Sequence, residues 1–179
     1  MHSCRPLCTG GCNASRRSSL RLPGGRWFVD ETYLRVAGRW TSPYRAIDQH
    51  GQIIDVVLSV RRDLAAARRF FARALAVGVR PVEVTCDRAA AYPRVLAEQL
   101  PAAQHVVERY ANNAIEADHS LLKQRLRSMR ALRRLRSAQI VAAGHAFIQN
   151  LRRGHYEIPT DEEPFDRLRL AFDSLAAVA

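Results

Sequence analysis

Three acidic residues stand where metal-dependent chemistry on phosphates would need them. Asp30 and Asp87 each follow an apolar, strand-like run (RWFV and VEVTC), and Glu116 opens a long basic segment, EADHSLLKQR. Mg²⁺ prefers oxygen ligands and is usually held by one or two carboxylates together with substrate phosphates. Two such ions about 3.5–4 Å apart can stabilise the attacking and leaving oxygens of an in-line displacement. We therefore predict that Asp30, Asp87 and Glu116 are catalytic and metal-binding, with two Mg²⁺ or Mn²⁺ ions per site.

A structural role is the alternative for each of these residues. Asp30 shares its predicted strand face with apolar residues, where an unpaired carboxylate is costly, so a salt bridge would compensate it as well as a metal. Asp87 follows a strand and could cap the next helix. Asn113 and Glu116 have the spacing of a capping box, in which the glutamate reaches back to the cap amide. Local spacing leaves these alternatives open.

Four other aspartates compete for a role at such a site. Asp48 lies in the turn DQHG and Asp63 precedes a helical pattern, so we interpret them as a turn residue and a helix cap. Asp55 lies on a predicted strand and could face a metal, which keeps it in reserve. Asp118 is two positions after Glu116 and therefore points to another side of the same helix.

The basic segment carries a stripe of positive charge. Lys123, Arg127, Arg130 and Arg134 recur at intervals that place them on one helix face, where we predict that they bind DNA phosphates. A solvated surface helix is the alternative, although without compensating acids its charges would repel one another. His119 precedes the stripe and is predicted to bind DNA phosphate or to order the site, with a plain surface histidine as the alternative.

The composition favours a polyanionic partner. The 179 residues include 28 lysines and arginines against 17 acidic residues, which gives a net charge of +11 and a pI near 10.7. An arginine-rich genome is the alternative explanation, but seven basic residues and no acid lie between positions 123 and 136. The chain has no P-loop, GxSxG or HExxH motif, which disfavours hydrolysis by P-loop, serine and zinc enzymes.

Cysteine usage and hydropathy indicate a reducing compartment. Cys4, Cys8 and Cys12 have no recognised zinc-ligand spacing, and Cys86 is interpreted as a small buried residue on a strand. No disulfide framework is implied. No signal core or membrane-spanning run is visible, so we expect a soluble cytoplasmic protein with no membrane partner.

The patterns of the chain predict one folded domain after a leader. Residues 1–25 lack acids and apolar periodicity and are interpreted as disordered, so the folded domain is expected to span 26–179. Alternation and turn residues predict strands at 26–36, 39–47, 52–60, 80–86 and 104–107, and helical spacing predicts helices at 64–75, 88–99, from 112, at 137–151 and from 164.

This order of elements predicts an α/β, ribonuclease-H-like fold. Tight turns join the first three strands into an antiparallel meander, and a strand that follows a helix suggests parallel pairing. The result is a mixed sheet of three antiparallel plus two parallel strands, flanked by helices, with extra C-terminal helices. Pro43 interrupts the second strand and suggests an edge or a bulge.

Five islands of the sequence resemble the DDE transposases of bacterial insertion sequences of the IS-six type. They are WFVDETYLRVAGRW, YRAIDQHGQIIDVVLSVRRDLAAARRFF, VTCDRAAAYPRVL, YANNAIEADHSLLKQRLRSMRALRRLRSA and GHAFIQNLRRGHY. The resemblance runs almost continuously over residues 26–179. It implies that Asp30, Asp87 and Glu116 correspond to the family's D, D and E, and that this integrase-like core has the ribonuclease-H-like fold.

The resemblance also implies an activity and its partners. A water activated between two Mg²⁺ ions would nick the end of the element, and the resulting 3′-hydroxyl would attack target DNA without a covalent enzyme intermediate. The protein would act in DNA transposition of an insertion sequence, as a homodimer or larger assembly on the element's ends and target DNA. It would work in the bacterial cytoplasm, associated with the nucleoid.

Departures from the family pattern keep other functions in view. The family carries a helix-turn-helix before the catalytic strand, and residues 1–25 show no such pattern. The interval from Asp87 to Glu116 holds 28 residues (88–115) and is shorter than is usual for the family. A truncated, catalytically silent DNA-binding transposase remnant is therefore the main alternative. A nuclease acting on RNA–DNA hybrids is a third hypothesis.

Overall fold

Strands and helices follow one another in the order that the sequence predicts. The computed structural model describes residues 20–87, 90–107, 113–128, 134–156 and 163–176. The strands are β1 (Arg26–Glu31), β2 (Leu34–Val36), β3 (Arg39–Asp48), β4 (Ile53–Ser59), β5 (Glu83–Cys86) and β6 (Gln104–Val107), and the helices are α1 (Leu64–Leu75), α2 (Ala91–Gln99), α3 (Asn113–Ser128), α4 (Leu135–Arg152) and α5 (Pro164–Ala176).

The strands form a mixed sheet. β3 lies between β1 and β4 and is antiparallel to both, whereas β5 is parallel to β1 and β6 is parallel to β5. β2 is antiparallel to the beginning of β3. The predicted sheet of three antiparallel and two parallel strands is therefore confirmed, with the first predicted strand divided into β1 and β2.

The division of the first strand lies opposite Pro43. This proline has no amide hydrogen to donate, and its carbonyl accepts a hydrogen bond from the amide of Thr32 at 3.1 Å. The prediction that Pro43 marks an edge or a bulge is wrong. β3 has neighbours on both sides, and its register shift against β4 falls between Ala46 and Ile47. Pro43 fits inside the sheet because the neighbouring strand is interrupted there.

Each face of the sheet carries its own hydrophobic core. Side chains alternate along β1, so that Trp27 and Val29 pack with α1 and α2, whereas Phe28 packs with α3 and α4. The same alternation assigns Asp30 to the α3 face and Glu31 to the α1 face. The side chains of Asp30 and Glu31, which are neighbours at the end of β1, therefore leave the strand on opposite faces of the sheet.

The folded part of the chain begins before residue 26, where the sequence predicts the start of the domain. Leu20 forms an antiparallel bridge with Tyr156, and the amide of Arg21 donates to the carbonyl of His155 at 2.9 Å. The amide of Gly24 donates to Oδ2 of Asp48 at 2.8 Å. Residues 20–25 of the predicted disordered leader are therefore held in place, and residues 1–19 lie outside the described residues.

Two side-chain amides of α4 bond to the backbone of β4. Gln139 accepts from the amide of Leu58 and donates to the carbonyl of Val56, both at 2.8 Å. Asn150 accepts from the amide of Ile53 at 2.7 Å and donates to the carbonyl of the same residue at 2.8 Å. These four bonds tie α4 to β4.

The C-terminal helices differ from their sequence patterns in which apolar side chains they bury. Small residues of α4, among them Ala138 and Ala142, pack into the core, whereas Ile140 is exposed. On α5, the large apolar side chains of Phe165 and Phe172 are exposed. No helix within the described ranges combines the length and the apolar character needed to cross a membrane.

Candidate metal centre

The parallel pairing of β1 and β5 brings Asp30 and Asp87 together. Val29 pairs with Cys86, so the residues that follow them lie at the same edge of the sheet. One carboxylate oxygen from each of Asp30, Glu31 and Asp87 lies within 4.8 Å of the other two. The carboxyl ends of strands are where α/β sheets place ligand sites, and this cluster has the oxygen donors that a hard cation prefers.

Asp30 is a partly buried carboxylate without a strong cationic partner in the described part of the chain. Burial, together with the negative charges of Asp87, Glu31 and Glu116, raises its pKa to about 7. In the described part of the chain, the ionisable group within pairing distance of Asp30 is His119, whose Nδ1 lies 3.6 Å from Oδ2. The arginine salt bridge considered as the alternative for Asp30 is not found there.

Glu31 is the member of the cluster that the sequence analysis did not identify. Its carboxylate accepts hydrogen bonds from the guanidinium of Arg62 and the hydroxyl of Tyr92. Burial raises the pKa of Glu31 and the Arg62 charge lowers it. The residue begins on the α1 face, but at the end of β1 its carboxylate comes close to both aspartates. Its partners are 31 and 61 positions away in the sequence, which no local pattern reveals.

Asp87 does not occupy the cap position that was its alternative role. α2 begins at Ala91 with Ala90 as its N-cap, and the Ala90 side chain makes no capping hydrogen bond. Oδ2 of Asp87 lies 3.7 Å from Nη2 of Arg62, which also pairs with Glu31. Arg62 therefore borders the carboxylate cluster.

Glu116 stands apart from the three clustered oxygens but close enough to act on them electrostatically. It is exposed in the first turn of α3, and its charge is one of those that raise the pKa of Asp30. The capping-box alternative involves the side chain of Asn113, which lies outside the described residues.

His119 is buried against the cluster. It is 4% exposed, so the surface alternative is wrong, and the burial disfavours a direct DNA contact. Burial, together with the positive charges of Arg45 and Lys123, lowers the pKa of His119 to about 3. A neutral imidazole beside Asp30 supports the predicted role in ordering the site.

The predicted basic stripe is described only in part. Lys123 is partly exposed and lies close enough to affect the pKa of His119, and Arg134 is exposed before α4. The side chain of Arg127 and the whole of Arg130 lie outside the described residues. The DNA-binding role of the stripe stays a prediction.

Asp118 is the centre of a buried ion-pair network. Its carboxylate pairs with Nη1 of Arg45 on β3, and both side chains are fully buried. Its other oxygen accepts from Nη2 of Arg153 at 2.9 Å. As predicted, Asp118 points to another side of α3 than Glu116, and the structure places it in the interior between helix and sheet.

The remaining aspartates have structural contacts. Oδ1 of Asp48 accepts from the amides of His50 and Gln52 at 2.8 Å, which confirms a turn role. Asp63 caps α1 by accepting from the amide of Ala66 at 2.8 Å. Asp55, kept in reserve as a metal ligand, pairs with Arg73 at 2.9 Å and is absent from the carboxylate cluster.

Comparison with known proteins gives sequence relatives and structural neighbours. A family profile described as a DDE domain matches residues 24–155. The transposase for insertion sequence-like element IS431mec of Staphylococcus aureus (strain Mu50) is 34% identical over 105 residues, which cover 56% of this chain and 47% of that protein. The chain thus spans about half the length of the curated relatives it matches.

Two solved structures share the fold at low sequence identity. The simian T-cell lymphotropic virus intasome in complex with a PP2A regulatory subunit gives a TM-score of 0.60 at 15% identity, covering 86% of this chain and 62% of that chain. The catalytic core domain of HTLV-2 integrase in complex with magnesium gives 0.57 at 16% identity, covering 73% and 88%.

These neighbours confirm the predicted ribonuclease-H-like fold of integrase cores. The family profile covers most of the chain, and the matched range includes Asp30, Glu31, Asp87 and Glu116. The identity to IS431mec supports the same assignment. The chain therefore belongs to the family of DDE transposases of bacterial insertion sequences, of the IS-six type.

Proposed function

We propose that this chain is the catalytic domain of a transposase that nicks the ends of an insertion sequence and joins them to target DNA. The observation that carries this proposal is the convergence of Asp30 and Asp87 at the carboxyl ends of two parallel strands. Asp30 is partly buried there and has no arginine partner among the described residues, a costly arrangement that a bound cation would relieve.

The donor set fits divalent metal ions. The cluster offers carboxylate oxygens, and burial together with the negative charges of its neighbours raises the pKa of Asp30 to about 7. We propose that Asp30, Asp87 and Glu116 hold the ions. When bound, two Mg²⁺ ions would supply the positive charge that activates the attacking oxygen and stabilises the leaving oxygen of a phosphodiester.

Other side chains of the domain are placed to orient the metal ligands and to bind DNA phosphates. His119 is neutral, so it can orient Asp30 without supplying the positive charge that a cation would bring. Lys123 and Arg134 are available to bind phosphates along α3 and before α4. DNA at the insertion-sequence ends and target DNA are the proposed substrates, in an assembly of two or more copies in the bacterial cytoplasm.

The test is strand joining by the purified chain with oligonucleotides that already carry the element's 3′-hydroxyl ends. We expect Mg²⁺- or Mn²⁺-dependent joining that falls at least about 1,000-fold in Asp30→Asn, Asp87→Asn and Glu116→Gln, since metal charge stabilisation is worth several kcal/mol and each 1.4 kcal/mol is tenfold. Asp55→Asn is the matched control, because it removes a carboxylate that pairs with Arg73 outside the cluster.

The possible results of this test distinguish the three functional hypotheses. Joining that survives in Asp87→Asn would overturn the site assignment. An absence of joining by the unaltered chain, with DNA binding retained, would favour the catalytically silent DNA-binding alternative. Cleavage confined to RNA–DNA hybrids would favour the third hypothesis.

A further inference from the structure

Two aromatic side chains are exposed at the hairpin of β2 and β3, which follows β1 in the chain. Tyr33 is 52% exposed and Trp40 is 64% exposed, whereas Trp27 on β1 is fully buried. The two exposed rings meet edge to face, with centroids 6.5 Å apart and an interplanar angle of 85°. Isolated exposed apolar residues are common, but a packed pair of large rings marks a candidate contact surface.

Arginines flank both rings. Arg35 pairs with Trp40 across the hairpin, and its guanidinium carbon lies 6.0 Å from the ring centroid. The guanidinium of Arg62 lies 5.6 Å from the centroid of Tyr33 and donates to the Tyr33 hydroxyl at 2.7 Å. We call these four side chains the aromatic platform. Aromatic rings interleaved with arginine are the groups on which unpaired nucleotides stack.

The platform is continuous with the metal centre. Arg62 pairs with Glu31, and its Nη2 lies 3.7 Å from Oδ2 of Asp87. Beside Arg62 lies a surface cleft of about 550 Å³, which Tyr92 and Arg94 also line. A strand that reaches the carboxylate cluster past Arg62 therefore meets Tyr33 and then Trp40.

The hairpin holds the rings in place before any ligand binds. Ala37 and Gly38 at its tip have positive φ angles of 51° and 77°, as a type I′ turn requires, and this turn matches the natural twist of a hairpin. Arg62 is itself fixed by the buried Glu31. Because the rings are positioned in advance, little conformational entropy is lost when a base stacks on them.

We propose that the aromatic platform binds the unpaired nucleotides of the DNA strand that enters or leaves the metal centre. This rests on the proposed function, because the strand end produced there supplies such nucleotides. The π-faces of bases are free to stack only when the strand is unpaired. A second copy of the chain fits the surface less well, since a self-contact would bring Arg35 and Arg62 towards their own counterparts and each chain carries a charge of +11.

The two tryptophans of the chain make a direct binding experiment possible. Trp40 is exposed and Trp27 is buried, so quenching by a ligand reports on Trp40. Without metal, we expect a single-stranded oligothymidine to quench the fluorescence, and an abasic oligonucleotide of the same length to bind at least about tenfold more weakly with little quenching. Trp40→Phe should abolish the quenching and retain binding to within about twofold.

Variants separate stacking from charge. Trp40→Ala and Tyr33→Ala should each weaken oligothymidine binding about tenfold and leave abasic binding unchanged. Arg35→Ala should weaken binding to both oligonucleotides. Phe165→Ala is the matched control, because it removes a ring that is 77% exposed on α5 and should change neither affinity.

Two results would overturn the platform. One is equal affinity of the unaltered chain for oligothymidine and the abasic oligonucleotide. The other is shielding of Trp40 from acrylamide that grows with protein concentration in the absence of DNA, which would show that a second copy covers the rings.

The binding experiment is independent of catalysis. It needs neither metal nor an intact cluster, so Asp87→Asn should keep the preference for bases. If strand joining fails while this preference holds, the proposed function falls and the platform stands. If joining succeeds without the preference, the platform falls and the proposed function stands.

Discussion

Two carboxylates on the α3 side of the sheet, that of Asp118 fully buried and that of Asp30 partly buried, have opposite surroundings. Asp118 pairs with two arginines, whereas Asp30 faces a neutral histidine and the charges of other carboxylates. A carboxylate that the protein itself compensates holds elements together. A carboxylate left uncompensated costs stability and suits a cation that arrives from solution.

The two surroundings are neighbours. Arg45, which pairs with Asp118, lies opposite Asp30 in the register of β1 and β3, and His119 follows Asp118 on α3. Asp118 therefore satisfies a positive charge that would otherwise be available to Asp30. Burial and the Arg45 charge also keep His119 neutral by lowering its pKa. The ion-pair network thus borders the metal centre without neutralising it.

The largest expected effect is on the stability of the network. Asp118→Ala should lower the free energy of unfolding by about 3–5 kcal/mol, because it leaves Arg45 buried without its partner. Asp30→Ala should cost less than about 1 kcal/mol without metal, since no arginine pairing in the described part of the chain depends on it. Urea unfolding measures both, and equal losses would refute the contrast.

Metal binding should distinguish the same two carboxylates. If the uncompensated cluster holds Mg²⁺, the ion should stabilise the folded chain by about 2.7 kcal/mol at a concentration one hundred times its Kd. Asp30→Asn and Asp87→Asn should lose this gain. The measurement is the melting temperature with MgCl₂ against NaCl of equal ionic strength. A gain that persists in both variants would place the ion elsewhere.

Acid should destabilise the α3 side through its buried histidines. Burial, together with the charge of Arg45, lowers the pKa of His145 to about 4. Because the unfolded imidazole titrates near 6.5, the unfolded state binds more protons between pH 6.5 and 4, and stability falls as the pH drops through that window.

The variant His145→Gln isolates this contribution. It should reduce the loss of unfolding free energy between pH 6.5 and pH 5 by about 1–2 kcal/mol. His50→Gln is the control, because His50 is exposed in the turn after β3. Identical pH profiles for the unaltered chain and His145→Gln would show that the imidazole is not neutral in the folded protein.

The smallest expected effect is on DNA affinity. Lys123→Ala should weaken binding to all sequences alike and reduce the slope of log K against log salt by about 1, since one phosphate contact is lost. Arg80→Ala serves as the control, because Arg80 is exposed between α1 and β5, away from the predicted stripe. An unchanged slope in Lys123→Ala would remove this lysine from the proposed DNA path.

The sequence predicted those parts of the site that depend on local patterns. The strand predicted at 80–86 ends where β5 ends, which locates Asp87, and the strand predicted at 26–36 contains Asp30 but misses the end of β1 at Glu31. The partners of Glu31 and Asp118 were not predicted, because Arg62, Tyr92 and Arg45 reach them only after the sheet and helices have packed.

Packing also decided which face of α4 is buried. Ile140 is larger and more apolar than Ala138 and Ala142, yet it is exposed, whereas the two small side chains are buried and let the helix approach β4 closely. His119 was misjudged for a related reason. From residue type alone, a histidine on a basic helix is expected to be exposed. Only the packing of α3 on the sheet shows that His119 is buried.

The bonds from Gln139 and Asn150 to β4 also limit how copies of this domain can associate. β4 is an outer strand, and an outer strand with free amides and carbonyls is a template for sheet extension between molecules. Here side-chain amides occupy those groups at Ile53, Val56 and Leu58. Adding a strand from another molecule at these positions would require displacing α4, so this border of the sheet is protected against edge-to-edge aggregation.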